Sequence, residues 1–387
     1  MKAPTLRPFS GHRPARRPAR AAALAGAGLA ALLAAGCASD TAKPTPLEPN
    51  PGKIAGREAW HLSFSNFGSQ GVAVAGQTFV IGARNGAIVG VDAATGKEVW
   101  RTDAGDRLST GVGTDGRFVA VVTRDGDVVA FENGKELWRK HVESAVVTAP
   151  FVAGERVFVL GVDRSVIAFD ALDGSKLWTY ARPGDALTLS EAGVLTAWQD
   201  TLLVGQGPRL TALDPLKGTV RWEVPVAAPR GTNEVERLAD LVGPAARVGN
   251  VYCVRAFENG IGCVDAERAT ALWSINTGGN QAIAADTDYV VSADGSDRIT
   301  ARRRSNGESV WSSDKFQNRH LSGAIAVGKT IVFGDLEGWV HFLDRTTGEP
   351  LLRLPTDGSQ VVGTPVVSGT TIAVTTADGG VFAFRPD

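Results

Sequence analysis

The sequence predicts an all-β chain folded as an eight-bladed β-propeller of four-stranded antiparallel blades, and three observations predict it. Tryptophan recurs at Trp60, Trp100, Trp138, Trp178, Trp222, Trp273 and Trp311, in steps of 40, 38, 40, 44, 51 and 38 residues. Leu352 follows 41 residues later in the same local setting. A period near 40 is the mark of a repeat architecture. A phrase travels with the anchor: glycine four residues before it, at Gly96, Gly134, Gly174, Gly218, Gly307 and Gly348, and often aspartate eight before it, at Asp92, Asp170, Asp214, Asp265 and Asp344. The chain ends also carry complementary fractions of one repeat. Residues 57–62 have no three strands before them, and the strands near 361–367, 371–375 and 380–384 have no fourth after them. Joined, the N-terminal strand and the C-terminal three complete an eighth blade and close a ring over 57–387. A solenoid would leave both ends unpaired with no capping repeat.

Each repeat justifies four strands. Gly71-Val-Ala-Val-Ala reads as a first strand of small residues, suited to a crowded centre, and Gln77-Thr-Phe-Val-Ile as the second. Arg84-Asn85-Gly86 turns into Ala87-Ile-Val-Gly-Val91, and Asp92-Ala-Ala-Thr-Gly96 turns into the strand that carries Trp100. Asn-Gly and Asp-Gly pairs between β-branched runs are hairpin signals because the turn needs positive φ. The aspartate closes its turn by accepting backbone N–H groups two or three residues on. One such sheet cannot bury both faces alone. Radial stacking buries them, with tryptophan filling the gap between neighbours.

Residues 1–36 read as a secretory signal peptide. Lys2, Arg7, Arg13, Arg16, Arg17 and Arg20 precede an uncharged stretch of 15 residues, 21–35, too short to span a bilayer as a helix. It ends in Leu33-Ala34-Ala35-Gly36-Cys37, which resembles the lipobox of bacterial lipoproteins, so Cys37 is the expected lipidation site. A polar, proline-rich run at 39–51 follows, and 37–56 is expected to be a lipidated, flexible tether. Ala38 is not the aspartate that retains lipoproteins at the inner membrane, which points to the outer membrane and a domain facing the periplasm. Six of the 40 basic residues lie in the leader, leaving 34 against 41 acidic ones and a net charge of −7. Nucleic-acid binding rests on basic patches and is not expected.

Beyond Cys37 the cysteines are Cys253 and Cys263, expected on the second and third strands of blade 5 around a turn at Glu258. In an oxidising compartment they can bond; the other reading is two small buried hydrophobes that stay reduced. Of the five histidines, His12 falls in the leader and His61, His141, His320 and His341 scatter over different blades. None has a partner at metal-ligand spacing. Neither a metal site nor a catalytic constellation stands out from the repeat, and no cofactor is expected.

Two steps break the period, the 44 before Trp222 and the 51 before Trp273. The surplus falls at 181–190 and 225–237, between the last strand of one blade and the first of the next. Two enlarged loops on adjacent blades read either as a recognition site or as tolerated insertions. Leu187 and Leu189 would supply apolar contact there, and Asn233-Glu234-Val235-Glu236-Arg237 a charged rim.

The repeated Asp-x-x-x-Gly-x-x-x-Trp phrase is similar to the PQQ-like repeat of quinoprotein dehydrogenases. Those enzymes are longer, and many carry a vicinal cysteine pair that this chain lacks. With a lipobox, a short tether and eight blades, the chain from Cys37 to Asp387 resembles instead the BamB family, the lipoproteins of the machinery that assembles outer-membrane β-barrels. The resemblance implies a non-enzymatic scaffold that binds the periplasmic domains of BamA and other assembly-complex subunits, with unfolded outer-membrane proteins as candidate clients. It also implies that the partner site is on the two loops. The family's Leu-x-Leu-Arg reads Leu187-Thr188-Leu189-Ser190 here, with serine in place of arginine. Its Arg-Leu-x-Asp-Val-Asp reads Arg237-Leu238-Ala239-Asp240-Leu241-Val242, with the second aspartate lost. The expected partner-binding residues are Leu187, Leu189, Ser190, Arg237, Leu238, Asp240 and Val242. The rival readings are a periplasmic quinoprotein dehydrogenase and a propeller lipoprotein with another envelope partner.

Overall fold

A computed structural model describes residues 42–64, 71–182, 187–229, 232, 233, 235 and 237–386. They form eight four-stranded antiparallel sheets. Blades 1 to 7 each use four consecutive strands, over 72–103, 113–141, 151–180, 195–225, 241–276, 284–313 and 325–355. In blade 8 the strand Arg57–Ser63 pairs antiparallel with Gly380–Arg385, so the two ends of the chain close the ring as expected. First strands of neighbouring blades approach one another and form the inner wall.

Burial follows position in the blade. Second and third strands lie between neighbouring blades, and strands such as Phe118–Val122 and Thr371–Thr376 are buried throughout. The outermost strand Lys135–His141 buries only Trp138. A β-branched and aromatic run in the middle of each sheet is therefore buried on both faces, while the outer strand meets solvent on one side.

The repeated phrase proves to be an inter-blade joint. The glycine before one anchor packs against the anchor of the preceding blade. A Cβ on Gly174 would stand 2.6 Å from the indole of Trp138, and one on Gly218 would stand 2.5 Å from that of Trp178. Gly96 meets Trp60, Gly307 meets Trp273 and Gly348 meets Trp311 in the same way. The indole N–H then donates into that turn: Trp60 to Ala93 O at 3.0 Å, Trp138 to Ala171 O at 2.9 Å, Trp273 to Arg304 O at 2.7 Å and Trp311 to Arg345 O at 3.0 Å. The aspartates shape the turn as predicted. Asp170 accepts the Leu172 N–H at 2.8 Å, and Asp344 accepts those of Thr346 and Thr347 at 2.8 and 2.9 Å.

The closing joint keeps the packing but not the indole hydrogen bond, since leucine has no donor. Leu352 is 8 % exposed, and a Cβ on Gly56 would meet its methyl at 2.9 Å. Gly56 stands four residues before Trp60, so the phrase begins one repeat earlier than the sequence reading placed it. Two joints depart from the pattern. Gly134 makes no contact with Trp100, whose indole instead covers Gly90 of its own blade, and Ala269, at φ 54°, stands where blade 5 would have its glycine.

The leader and Cys37 lie outside the described residues. Of the expected flexible tether, residues from Thr45 onward are held on the ring. Leu47 and Ile54 pack into apolar clusters of blades 6 to 8, and Lys53 N–H donates to Leu351 O at 2.8 Å. Apolar side chains every few residues give this proline-rich segment surface to bury, which a purely polar linker would lack.

Candidate functional site

The two enlarged connections run from the outermost strand of blade 3 to the innermost strand of blade 4, and from blade 4 to blade 5 likewise. Residues 183–186, 230, 231, 234 and 236 within them lie outside the described residues. Connections of this type share one face of the ring with the turns between second and third strands, because successive strands alternate in direction. That geometry brings the turn of blade 3 at 161–165 beside both loops.

Asp240 is the centre of the arrangement. Its Oδ1 accepts from Arg164 Nε at 2.9 Å and Nη2 at 2.8 Å, and its Oδ2 accepts the Leu189 N–H at 3.1 Å. The carboxylate thus ties together blade 3, the first loop and the end of the second. Charge-assisted pairs of this kind are the stronger hydrogen bonds, and the two side chains are only 12 % and 18 % exposed. Arg164 sits at φ 65°, and its carbonyl accepts from Gln206 Nε2 at 2.9 Å. Gly193 adds a second tie, its N–H donating to Thr148 Oγ1 at 2.9 Å, and Gly243 N–H donates to Ala192 O at 2.9 Å. The first loop leaves blade 3 at Arg182, which is paired with Glu223 at 2.6 Å.

On this base Leu187 is exposed and Leu189 is half-buried. Ser190 and Arg237 are exposed, and Leu238 is half-buried with its N–H on Val235 O at 3.2 Å. Val242 is a correction to the expected partner-facing set. It is 8 % exposed, paired with Arg255 in the sheet and bridged to Gly193, so it belongs to the floor of the cleft between the loops. Asp240 likewise has both oxygens engaged within the chain. Sequence reasoning missed Arg164, which lies 76 residues from Asp240 in a turn of ordinary length with no motif to mark it.

Cys253 and Cys263 are directly paired across the second and third strands of blade 5, and their sulfurs are bonded. Both are fully buried. Two residues on, Arg255 is 1 % exposed and donates to four carbonyls, those of Thr277, Gly278, Gln281 and Ala293, at 3.3, 2.6, 3.2 and 2.5 Å. Burial pushes its pKa down to about 10, against the pull of Glu258 and Asp294. This guanidinium clamps blade 5 to the connection that leads into blade 6 and to the end of the blade 6 strand at Ala293.

The densest titratable cluster lies in blade 7. Asp335 Oδ2 accepts from Arg319 Nε at 2.8 Å and lies 2.9 Å from His341 Nε2, while Arg319 also bonds Glu337 and, at 2.9 Å, the Thr45 carbonyl. Burial opposes the Asp335 carboxylate, but the His341 contact, the Trp339 N–H and Arg319 outweigh it and hold its pKa below the ordinary value. Burial holds the His341 pKa below its ordinary value as well, despite the pull of Asp335. Phe316 and Phe333 enclose the imidazole at 4.9 and 5.4 Å. Arg319, Asp335 and His341 are all buried and only Glu337 reaches solvent, so the cluster works as a structural lock. Among the described residues no group of three His, Cys, Asp or Glu side chains could hold a metal, and no helix is long and apolar enough to cross a membrane.

Fold and joints together define a propeller of tryptophan-docked repeats that presents a loop-built face braced by a partly buried carboxylate. Residues 52–110 and 84–313 match the family described as outer membrane protein assembly factor BamB. The chain is 36 % identical over 349 residues to the protein of that name from Burkholderia pseudomallei (strain K96243), covering 89 % of this chain and 91 % of that one. It is 32 % identical over 351 residues to that from Bordetella pertussis, covering 89 % and 91 %. The crystal structure of BamB from Moraxella catarrhalis superposes with a TM-score of 0.78 at 21 % identity, over 85 % of this chain and 99 % of that one. The quinohemoprotein alcohol dehydrogenase from Comamonas testosteroni shares the fold alone, with a TM-score of 0.64 at 16 % identity, over 88 % of this chain and 78 % of that one. This chain belongs to the BamB family.

Proposed function

We propose that the chain is a non-enzymatic scaffold of outer-membrane protein assembly, held on the periplasmic side of the outer membrane by lipid on Cys37. Its partners are the periplasmic domains of BamA, which it engages through the loops around Leu187–Leu189 and Arg237–Asp240. The observation that carries the reading is the Asp240 brace. Holding the Leu189 backbone and Arg164 together leaves Leu187 exposed on a fixed base, so little ordering remains to oppose binding. The names of the relatives agree with the role.

A second part of the role concerns clients. Outermost strands expose apolar side chains beside the tryptophan anchors, among them Val99, Leu137, Leu177, Val220, Leu272 and Val310. An edge of this kind accepts an added strand by main-chain hydrogen bonding, which suits transient contact with unfolded barrel segments.

Recovery of BamA from detergent-solubilised membranes by the tagged chain tests the partner. Wild-type chain should recover it, and the Leu187→Ala/Leu189→Ala variant should not, with both giving a single cooperative melt. Equal recovery by the two would remove the loops from the interface, and absence of BamA from the wild-type eluate would remove the partner.

A further inference from the structure

Residues 45–54 make an ordered series of contacts with the rim of the ring. At one end Thr45 N–H donates to Gln317 O at 2.9 Å, and the Thr45 carbonyl accepts from Arg319 Nη1 at 2.9 Å. Gln317 and Arg319 belong to the connection from blade 6 to blade 7. That connection emerges on the same face as the loops bearing Leu187 and Asp240, since all such connections do. Arg319 is itself fixed by Asp335, buried in the adjoining turn of blade 7.

The segment then runs down the outermost strand of blade 7, Pro350–Pro355, antiparallel to it. Arg353 Nη1 donates to Glu48 O at 3.1 Å. The Asn50 side chain imitates a strand partner, donating to Arg353 O at 2.8 Å and accepting Arg353 N–H at 3.0 Å. Lys53 N–H then donates to Leu351 O at 2.8 Å. The strand edge of blade 7 is thereby occupied by the chain's own N-terminal segment.

We infer that residues 45–54 are a strap that fixes where the anchored end of the chain leaves the ring, so that the loop-bearing face is the one held toward the membrane surface. The inference rests on Cys37 carrying the lipid. Seven residues, 38–44, separate Cys37 from Thr45. Eight peptide steps reach at most about 28 Å, however those residues are arranged. Without the strap the free leash would extend to Gly56 on the opposite face, some twenty steps or about 65 Å of chain, and either face could meet the bilayer. With it, Thr45 is the exit point, and the bilayer lies within one short leash of the face that carries Leu187 and Asp240. The surface recognised is a phospholipid bilayer, reached through the leash and not through a lipid pocket.

Energy transfer tests the orientation. Cys37 would be acylated and Cys253 and Cys263 are bonded and buried, so an introduced thiol takes a donor dye alone. Gln360→Cys places it on the loop face, in the connection from blade 7 to blade 8, and Lys329→Cys places it in a first-to-second strand turn on the opposite face; both positions are exposed. The lipidated full chain is inserted into vesicles of phosphatidylethanolamine and phosphatidylglycerol carrying a headgroup-linked acceptor. Transfer from Gln360→Cys should be at least twofold that from Lys329→Cys. In the Asn50→Ala/Lys53→Pro background the difference should vanish, with flotation retained. Equal transfer in the wild-type background, or a difference that survives the strap variant, overturns the inference. Loss of flotation by the wild-type chain overturns the anchor itself, and the orientation with it. The wild-type comparison stands by itself should the strap variant melt early.

Discussion

The Asp240 carboxylate receives both Nε and Nη2 of Arg164, 2.9 and 2.8 Å away, across 76 residues of sequence. That pair, with the Leu189 N–H on the same carboxylate, joins the turn of blade 3 and the first long loop to the start of blade 5. Asp240→Ala should remove two hydrogen bonds from the Arg164 guanidinium and one from the Leu189 N–H. Loss of partly buried bonds of this kind costs about 1–3 kcal/mol, read as a lower urea midpoint, together with weaker BamA binding. An unchanged midpoint would show that the pair contributes nothing to the fold.

Leu187→Ala with Leu189→Ala should act the other way round. Leu187 is 38 % exposed and Leu189 half-buried in the free chain, so the fold should survive with a modest loss of stability, most of it from Leu189. Burial against a partner stabilises each leucine contact by roughly 1.5–3 kcal/mol, so the double variant should bind BamA at least tenfold more weakly by titration. A collapsed melt would place these leucines in the core instead.

Gly174 tests the inter-blade joint. Its φ is 71°, and an added Cβ would stand 2.6 Å from the Trp138 indole. Gly174→Ala therefore combines left-handed strain of about 1–2 kcal/mol with displacement of a buried ring. Gly116→Ala is the control, at φ 97° with open space around the new methyl. The first should cost at least 1 kcal/mol more than the second in chemical denaturation. Equal costs would mean that the indole yields freely.

The buried disulfide closes a short loop, with the two cysteines 10 residues apart. Constraint of the unfolded chain by a loop of that size is worth about 2–3 kcal/mol. The Cys253→Ala/Cys263→Ala variant should show that loss by denaturant titration, and mass spectrometry of unreduced wild-type chain should show the two peptides linked. Free, alkylatable thiols at both positions would contradict the bond.

Acid should loosen blade 7 in two stages. His341 has a pKa held below its ordinary 6.5 in the folded chain, so below about pH 6.5 the unfolded chain binds a proton that the folded chain does not. Stability then falls as pH drops. Asp335, with its folded pKa below 3.8, adds a second loss as pH falls through and below that value. Urea midpoints at pH 7.5 and 5.5 should differ, and His341→Gln should shrink the difference. Identical pH dependence in the two proteins would rule out His341 as the source.

Some of this was legible because it is local. Period and turn residues specified the blades because they reflect hydrogen bonding within a few residues, and the closure, which pairs residues 57–63 with 380–385, was legible only because each chain end carries the fraction of a repeat that the other lacks. The pairing of Cys253 with Cys263 followed from hairpin register for the same reason. The glycine of the phrase was visible, but its purpose was not, because it serves the tryptophan of the blade before it and not its own. Gly56 went unread for that reason, its partner Leu352 being an anchor without an indole. The same limit governs the site. The spacing of Trp178, Trp222 and Trp273 marked the two long loops, while nothing near Asp240 announced Arg164, and nothing in a proline-rich segment announced a strap along blade 7. Local chain geometry is encoded residue by residue and repeats; contacts between blades depend on which surfaces the closed ring brings together, and only the tertiary structure decides that.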